Sequence, residues 1–437
     1  MIAKKRILFV KPADVYPVKK GIYNRSWMPI ALANCAALLE KEGFECKIID
    51  AHAHGLPISE VVANAENYDK VFVTSTDIER WECPQEDIDS FVKTSLELGK
   101  LNKEIYVMGV HGSLHPEMIL EKTKPKAVIR GEPEATVLEI CTKESLNDIK
   151  GITFKVDGKV VTNENREPLD MTILPIPAYH LLDSSKYHYE VMGDHFALFE
   201  GSRGCYYQCK FCLKEMFGNP IRSKHPEQLI KEVDEAITKH GVKFAQFIDL
   251  EYTLNKEMYH KVLDHLIEKN YDFKWCCQAR ADNLDPELLK KMKKAGCQMI
   301  LCGIESGSEK TLKVIRKGLT LEKVKRGIAE AKKAGIDTVC FFMFGFPGET
   351  KEDMQETIKF TKELNPTYVS FHDLIPHKTT EMYNVKEELN NQKLAQSMRR
   401  LGYIHFYLRP SYLMSRLFRG NIFDLGKQLK LFWGFVR

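Results

Sequence analysis

No stretch of this sequence is apolar for the ~18–20 residues that a helical membrane span needs. The longest apolar run, Val339 to Phe344, is cut short by Gly345 and Pro347. A secretory leader is missing as well: Ile7 to Val10 is too short for its apolar core, and no small-residue cleavage site follows. Cysteine is too sparse for a disulfide scaffold, at twelve in 437 residues, and several lie within apolar strand-like runs. Those features predict a reduced, cytoplasmic protein. Net charge is also small, +4 over the whole chain, which excludes nucleic acid as the main partner. What charge there is lies at one end. Between Arg399 and Arg437 eight basic residues face Asp424 alone, giving +7 and leaving the rest of the chain at −3. The composition is 44% hydrophobic, 28% charged and 10% aromatic, so disorder, collagen and coiled coil are excluded as the main state. At ~150 residues per domain the length predicts two or three domains.

Two blocks alternate strand and helix patterns. In the first, Ile7–Val10, Cys46–Ile49, Val71–Val73, Ile105–Met108 and Ala127–Ile129 read as strands. Helical spacing falls at Met28–Leu39, near Val61, and at Phe91–Leu98, Met118–Leu120 and Val137–Ile140. That alternation predicts a doubly wound parallel sheet, which binds ligands outside the carboxyl ends of its strands. A hairpin with an Asp157–Gly158 turn follows, and then a linker at Leu174–Pro175–Ile176–Pro177–Ala178. The second block has strand candidates at Phe196–Phe199, Phe244–Ile248, Phe273–Cys277, Met299–Cys302, Thr338–Phe344 and Tyr368–Phe371. Six βα repeats in so short a block predict a partial β/α barrel, since a complete one needs ~250 residues. The boundaries read as 1–145 for the doubly wound domain, 146–192 for hairpin and linker, 193–380 for the barrel, and 381–437 for a basic, aromatic-rich helical region.

The strongest chemical signal is Cys205–Tyr206–Tyr207–Gln208–Cys209–Lys210–Phe211–Cys212, in the loop leaving the first barrel strand. Two Cys-x-x-Cys pairs would point to zinc. Three cysteines without a near fourth suit an iron–sulfur cluster with one open iron. A zinc knuckle with a distant fourth ligand, or chance clustering, is the alternative. Cys276, Cys277, Cys297, Cys302 and Cys340 fall in or beside barrel strands and read as small core residues.

The three-cysteine spacing after a first strand, with five more βα units behind it, resembles the radical SAM superfamily. The resemblance implies a 4Fe-4S cluster on Cys205, Cys209 and Cys212, whose open iron binds S-adenosyl-L-methionine and whose reduction cleaves it to a 5′-deoxyadenosyl radical. Phe211 matches the family's apolar residue beside the adenine. Gly303–Ile304–Glu305–Ser306–Gly307 matches the ribose segment, so Glu305 and Ser306 are implied as contacts. Gly345–Phe346–Pro347–Gly348–Glu349 matches the glycine-containing segment near the adenine, implying Gly345 and Phe346. The second strand ends in Asp249–Leu250–Glu251 where the family has Gly-Gly-Glu, so Asp249 stands in for the amine contact. Arg280 is positioned to reach the carboxylate, unless it pairs with Asp282 or Asp285.

A doubly wound domain ahead of such a barrel, joined by Leu-Pro-x-Pro-Ala, resembles the cobalamin-dependent radical SAM enzymes. The resemblance implies cobalamin contacts from the strand-end loops: Asp14; Thr74, Ser75, Arg80 and Trp81; Gly109, His111 and Gly112; Gly131 and Glu132. Corrinoid carriers place a cobalt-binding His after their first strand, but here that loop is Lys11–Pro12–Ala13–Asp14–Val15–Tyr16. The expectation is therefore base-off cobalamin without a histidine ligand, with Arg80 or Trp81 on its lower face. His52 and His54 after the second strand read as solvent-facing or hydrogen-bonded, and Trp81 reads equally as a domain-interface core residue.

The implied function is radical methylation of a substrate carbon or phosphinate, with methylcobalamin as donor. The alternative keeps the cofactors and transfers no methyl group, as an anaerobic oxidative cyclase or ring-rearranging enzyme. Methylthio transfer needs three further cluster cysteines, and Cys35, Cys46, Cys83 and Cys141 are scattered. A corrinoid-binding sensor or carrier would have no use for the cysteine loop. Expected partners are a small-molecule or lipid-like substrate and an electron donor such as ferredoxin or flavodoxin, with no nucleic acid. His377, in the loop after the sixth strand, is a candidate substrate contact. From Leu401 to Arg437 nine aromatics interleave with basic residues. The tail reads as a helical cap over the barrel, or else as an amphipathic surface in peripheral contact with an anionic membrane.

Overall fold

The computed structural model describes residues 5–13, 26–78, 81–84, 86–218, 220–388 and 391–419. Asp14, Arg80 and the tail beyond Arg419 lie outside the described residues. The chain divides into two compact units: Met1–Val15, Arg25–Tyr206 and Leu213–Asp249 form one, and Tyr16–Asn24, Tyr207–Cys212 and Leu250–Arg437 the other.

The first unit opens with β1 (Arg6–Lys11), β2 (Glu45–Asp50), β3 (Lys70–Thr74), β4 (Glu104–Met108) and β5 (Ala127–Ile129), each followed by helix. These are short apolar runs because both faces are covered by helices. On one face Leu8, Val10, Val71, Val73, Ile105, Val107 and Val128 pack with Val61, Phe91, Leu98 and Ile119. On the other, Phe9, Phe72 and Tyr106 stack in a row, with ring centroids 5.4 and 5.0 Å apart. The hairpin β6 (Ile152–Val156) and β7 (Lys159–Thr162) turns at Asp157 and Gly158, both with positive φ. It is more than a connector: the sheet has seven strands in the order β2-β1-β3-β4-β5-β6-β7, and β6 runs antiparallel to β5. Pairing there satisfies the backbone of β5, which would otherwise be an open edge. The order of the five parallel strands reverses between β1 and β3, the switch point where such sheets bind ligands.

A short antiparallel pair follows, β8 (His188–Tyr189) and β9 (Gly193–Asp194), and then β10 (Phe196–Phe199). Next come β11 (Ser202–Arg203) and β12 (Arg222–Ser223), paired antiparallel, and β13 (Phe244–Phe247), which runs parallel to β10. The second unit continues with β14 (Lys274–Gln278), β15 (Cys297–Glu305), β16 (Asp337–Phe344) and β17 (Tyr368–Asp373), all parallel. The strand order of this sheet is β10-β13-β14-β15-β16-β17, six strands in the order of the chain, as expected of a partial β/α barrel. Along β16 the residues alternate in burial. Thr338, Cys340, Phe342 and Phe344 are fully buried, and Val339, Phe341 and Met343 only partly, so the strand has one face against helices and one toward the barrel interior.

The open edge of the barrel is closed by side chains. The helix Gln392–Tyr407 lies along β17. Its Tyr407 hydroxyl accepts from Val369 N–H (3.0 Å) and donates to Val369 C=O (2.7 Å). Tyr403 does the same for Phe371, at 3.1 and 3.2 Å. Two tyrosines one helical turn apart thus match two strand residues on the same side of β17, and supply hydrogen bonds that a further strand would otherwise make. The helix Pro410–Arg419 continues the tail.

Candidate active site

The cysteine loop is pinched at its base. Ser202 and Arg203 of β11 pair with Ser223 and Arg222 of β12, so the intervening residues leave and return at one point. Gly204, the first loop residue, has φ +94°, and a Cβ there would lie 2.8 Å from Pro220 C=O. Further along, Lys210 N–H donates to Ile315 C=O (3.0 Å). All twelve cysteines are free; Cys205, Cys209 and Cys212 are half-buried, eight others are buried, and Cys83 is exposed. Among the described residues no three His, Cys, Asp or Glu side chains converge on one metal-ion position. A cubane cluster does not ask for that, because each thiolate takes a different iron corner. Three half-exposed thiols in one pinned loop, with no carboxylate or imidazole between Cys205 and Cys212, fit such a cluster. They do not fit a single zinc ion.

Buried ionic contacts hold the base of this loop. Arg203 is fully buried. It donates to Glu200 (2.8 and 2.9 Å), Glu134 (2.6 and 3.2 Å) and Glu132 (3.1 Å). Glu132 also accepts from Arg222 (2.9 Å) and Leu169 N–H (2.6 Å). Burial lowers the arginine's affinity for its proton, yet Glu134, Glu200 and Glu132 more than offset this and raise it well above its ordinary value. Trp81 is buried beneath the network, its ring 5.6 Å from the Arg203 guanidinium and 5.4 Å from the ring of Phe217. Glu132, read from the sequence as a ligand contact, is thus fully occupied in tying the loop after β5 to the strand before the cysteines.

The other carboxyl-end loops of the first sheet are knitted to one another. His111 Nδ1 lies 3.0 Å from Ser75 Oγ, and Val110 N–H donates to Thr76 Oγ1 (3.1 Å). Gly109 has φ +105°, and a Cβ there would come within 2.6 Å of Ser75 Oγ. Gly112 is pressed against Val128, while Gly131 has nothing near where a Cβ would point. Thr74 Oγ1 donates to Thr76 C=O (2.7 Å), folding the loop after β3. That loop is further held by Lys11, whose buried ammonium bonds Asp77 (2.6 Å), Asp50 (3.3 Å) and Trp27 C=O (2.8 Å). Asp50 also caps the turn carrying His52, which is half-buried, and His54, which is exposed. Trp81 Nε1 is buried without a hydrogen-bond partner. Small side chains after β3, the open space beside Gly131 and the buried Trp81 donor fit a ligand approaching the backbone closely at the carboxyl ends of this sheet.

In the barrel, Asp249 is fully buried and accepts from Gly201 N–H (3.1 Å) and the Ser202 hydroxyl, both in its own unit. Glu251, in the second unit, accepts from Thr253 and from Arg280 N–H. Both carboxylates at the end of the second barrel strand therefore brace loops. Arg280 makes the Asp282 pair, at 3.0 and 2.9 Å, and also donates to Lys317 C=O (2.8 Å) and Gly318 C=O (3.2 Å). Its guanidinium lies 3.9 Å from the ring centre of Tyr207 in the cysteine loop. Phe211 packs on Phe346, centroids 5.8 Å apart. Ser306 bonds Thr357 (3.0 Å) and accepts from Ser308 N–H (3.1 Å). Glu305 ends β15 in the left-handed region at φ +73°, a strained conformation for a residue with a side chain. Half-buried His377 accepts from Thr380 at its carbonyl (2.9 Å), forming a turn after β17.

Three of the supporting residues escape sequence reasoning: Lys11, Arg203 and Glu349. A lysine closing an otherwise apolar strand, and an arginine two positions before a metal-type cysteine, are the signals that could have found the first two. Glu349 Oε2 accepts from Gly345 N–H (2.7 Å) and Phe346 N–H (3.2 Å), holding the loop after β16, while Oε1 is buried without a partner. Burial raises this carboxyl from 4.5 to about 7, against the opposing pull of the two N–H groups. Between those values the folded chain holds a proton that the unfolded chain has released. Stability from this group is therefore full at low pH and falls as pH rises toward about 7. At ~1.4 kcal/mol per pH unit the loss is about 3 kcal/mol. Glu349→Gln is expected to abolish that slope in denaturant unfolding between about pH 5 and about pH 8. Parallel wild-type and variant profiles would refute this assignment.

Residues 199–361 match the sequence profile of the Radical SAM superfamily. A Pyrococcus horikoshii protein named as an uncharacterised methyltransferase is 29% identical, over 97% of this chain and 97% of its own. The anaerobic magnesium-protoporphyrin IX monomethyl ester cyclase of Rubrivivax gelatinosus is 25% identical, over 96% of this chain and 75% of its own. Among solved structures, the fold is shared with the radical S-adenosylmethionine methyltransferase TsrM of Kitasatospora setae, which holds cobalamin and a [4Fe-4S] cluster. The TM-score is 0.69 at 19% identity, over 87% of this chain and 74% of TsrM. OxsB, a cobalamin-dependent S-adenosylmethionine radical enzyme with aqua-cobalamin bound, also scores 0.69 at 19% identity, over 90% of this chain and 56% of OxsB.

Proposed function

Since residues 199–361 are a radical SAM domain, we propose that this enzyme is a cobalamin-dependent radical methyltransferase acting on a small-molecule or lipid-like substrate. The observation that carries the proposal is the presence in one chain of the pinned three-cysteine loop and a 2-1-3-4-5 parallel sheet with small residues after β3 and glycines after β4 and β5 at its carboxyl ends. When bound, the cluster supplies the electron that cleaves S-adenosyl-L-methionine, and the corrinoid carries the methyl group.

The chain's own residues hold and orient these groups. Cys205, Cys209 and Cys212 are the cluster ligands. Phe211 and Phe346 offer an apolar, aromatic seat for adenine. Glu305 and Ser306 face the ribose, with Ser306 fixed by Thr357. Arg280 takes the alternative open to it, pairing with Asp282 and bracing the loop at Lys317 and Gly318 beneath Tyr207. The loops carrying Thr74, Ser75, Trp81, Gly109, His111, Gly112 and Gly131 receive the corrinoid. A ferredoxin- or flavodoxin-class donor reduces the cluster. Cys35, Cys46 and Cys141 are buried, and burial raises all three thiols, which supports one cluster site and weighs against methylthio transfer.

Oxidative cyclisation is the second reading, favoured by the cyclase relative that this chain matches over 96% of its length. The deciding test uses anaerobically reconstituted protein with cobalamin and S-adenosyl-L-methionine deuterated in its methyl group. Deuterated methyl recovered on the corrinoid, together with 5′-deoxyadenosine, is the expected result. Deoxyadenosine without label on a bound corrinoid would favour cyclisation, and failure to bind cobalamin would overturn both readings. Among the described residues no helix is long and apolar enough to cross a membrane.

A further inference from the structure

Two buried cations flank the second half of the cysteine loop, and each is neutralised by one carboxylate. Arg280 lies over Tyr207 and is held by Asp282. Lys317, only 8% exposed, follows the helix Glu309–Val314. Its ammonium bonds Glu305 Oε1 at 2.9 Å and lies 5.7 Å from the ring centre of Phe211, the residue between Cys209 and Cys212. The lysine's backbone carbonyl accepts from Arg280, so the two cations are built on one support. Gly303 makes room for the pair: a Cβ there would lie 2.5 Å from Glu305 Oε1 and 3.2 Å from the lysine Nζ. Glu305 is the residue at φ +73°, a conformation that persists only where surroundings enforce it.

We propose that Lys317 is a positioning residue that balances the buried Glu305 carboxylate behind Phe211, and so keeps a net negative charge from lowering the reduction potential of the cluster held by Cys209 and Cys212. The proposal rests on the radical SAM reading. Its physical basis is that reduction adds one negative charge to a thiolate-ligated cluster. A fixed cation in a poorly screened interior favours the reduced form, and net charge is among the main determinants of such potentials. Glu305 is the carboxylate that the ammonium balances. Removing the lysine alone therefore leaves an unbalanced carboxylate beside the loop, so the local charge falls by one.

The test is a redox titration of the reconstituted cluster, followed by electron paramagnetic resonance of its reduced state, with iron content measured in parallel. The variants are Lys317→Arg, Lys317→Met, Lys317→Gln and the double variant K317M/E305Q. The expected result is wild-type iron content throughout and an unchanged potential in K317R. Both uncharged single variants should shift to more negative potential, and K317M/E305Q, which restores the charge balance, should move back toward wild type. Equal potentials in wild type, K317M and K317Q would overturn the proposal, as would a K317R that behaves like K317M. A wild type that assembles no cluster would overturn the radical SAM reading and this proposal with it.

Discussion

Cys209→Ala is expected to abolish the enzyme: iron and sulfide incorporation should fall to background, and 5′-deoxyadenosine production should cease. The loop offers three thiols and no spare, and its half-buried cysteines have no imidazole or carboxylate among them that could substitute. The same result is expected for Cys205→Ala and Cys212→Ala, because each thiolate serves a different iron. Cys340→Ala is the informative control. Cys340 is fully buried in β16, and burial raises its thiol well above the usual range, so it stays protonated and packs as a small apolar residue. Its loss should leave iron content and deoxyadenosine formation near wild type. Wild-type iron content in C209A, or loss of iron in C340A, would show that the ligands have been misassigned.

Arg203→Met should produce the largest loss of stability, on the order of 3–5 kcal/mol, because it strips the counter-charge from three buried carboxylates at once. Glu200 and Glu134 would be left without a cationic partner, while Glu132 would keep only Arg222. The cost arises from unpaired charge more than from lost packing, since methionine refills much of the volume. The triple variant R203M/E134Q/E200Q is therefore expected to recover at least half of the loss in denaturant unfolding. Because Arg203 lies two residues before Cys205, R203M should also lower iron incorporation. A penalty under about 1 kcal/mol, or a triple variant no better than R203M, would show that the network is not what stabilises the base of the loop.

The comparison of Arg203 with Cys205 shows what could be read in advance. The cysteines carry their meaning in local spacing, so the cluster loop was legible without a fold. The same holds for the strands, whose short apolar runs declare burial on both faces, and for the Asp157–Gly158 turn. Arg203 is equally close to the cysteines, but its partners Glu132 and Glu134 lie about seventy positions away. Nothing in a local pattern distinguishes a glutamate that meets a ligand from one that meets a buried arginine. The sequence offers Glu132 as a ligand contact, and only the fold shows that it accepts from Arg203, Arg222 and Leu169 N–H. Lys317 is a similar case, because its role depends on the bulge at the end of β15 that brings Glu305 back toward it.

By itself, then, the sequence determined the order of the barrel strands, the parallel sheets and the three-cysteine loop, since these follow from hydrophobic period and from closely spaced donors. Tertiary structure alone decided which charges are buried together, how the β17 edge is closed by Tyr403 and Tyr407, and that Glu305, at positive φ, pairs with a buried lysine. The physical reason is that periodicity and spacing act over a few residues of chain. Ion-pair choice and burial depend instead on which distant segments share one desolvated volume, and only the folded chain specifies that.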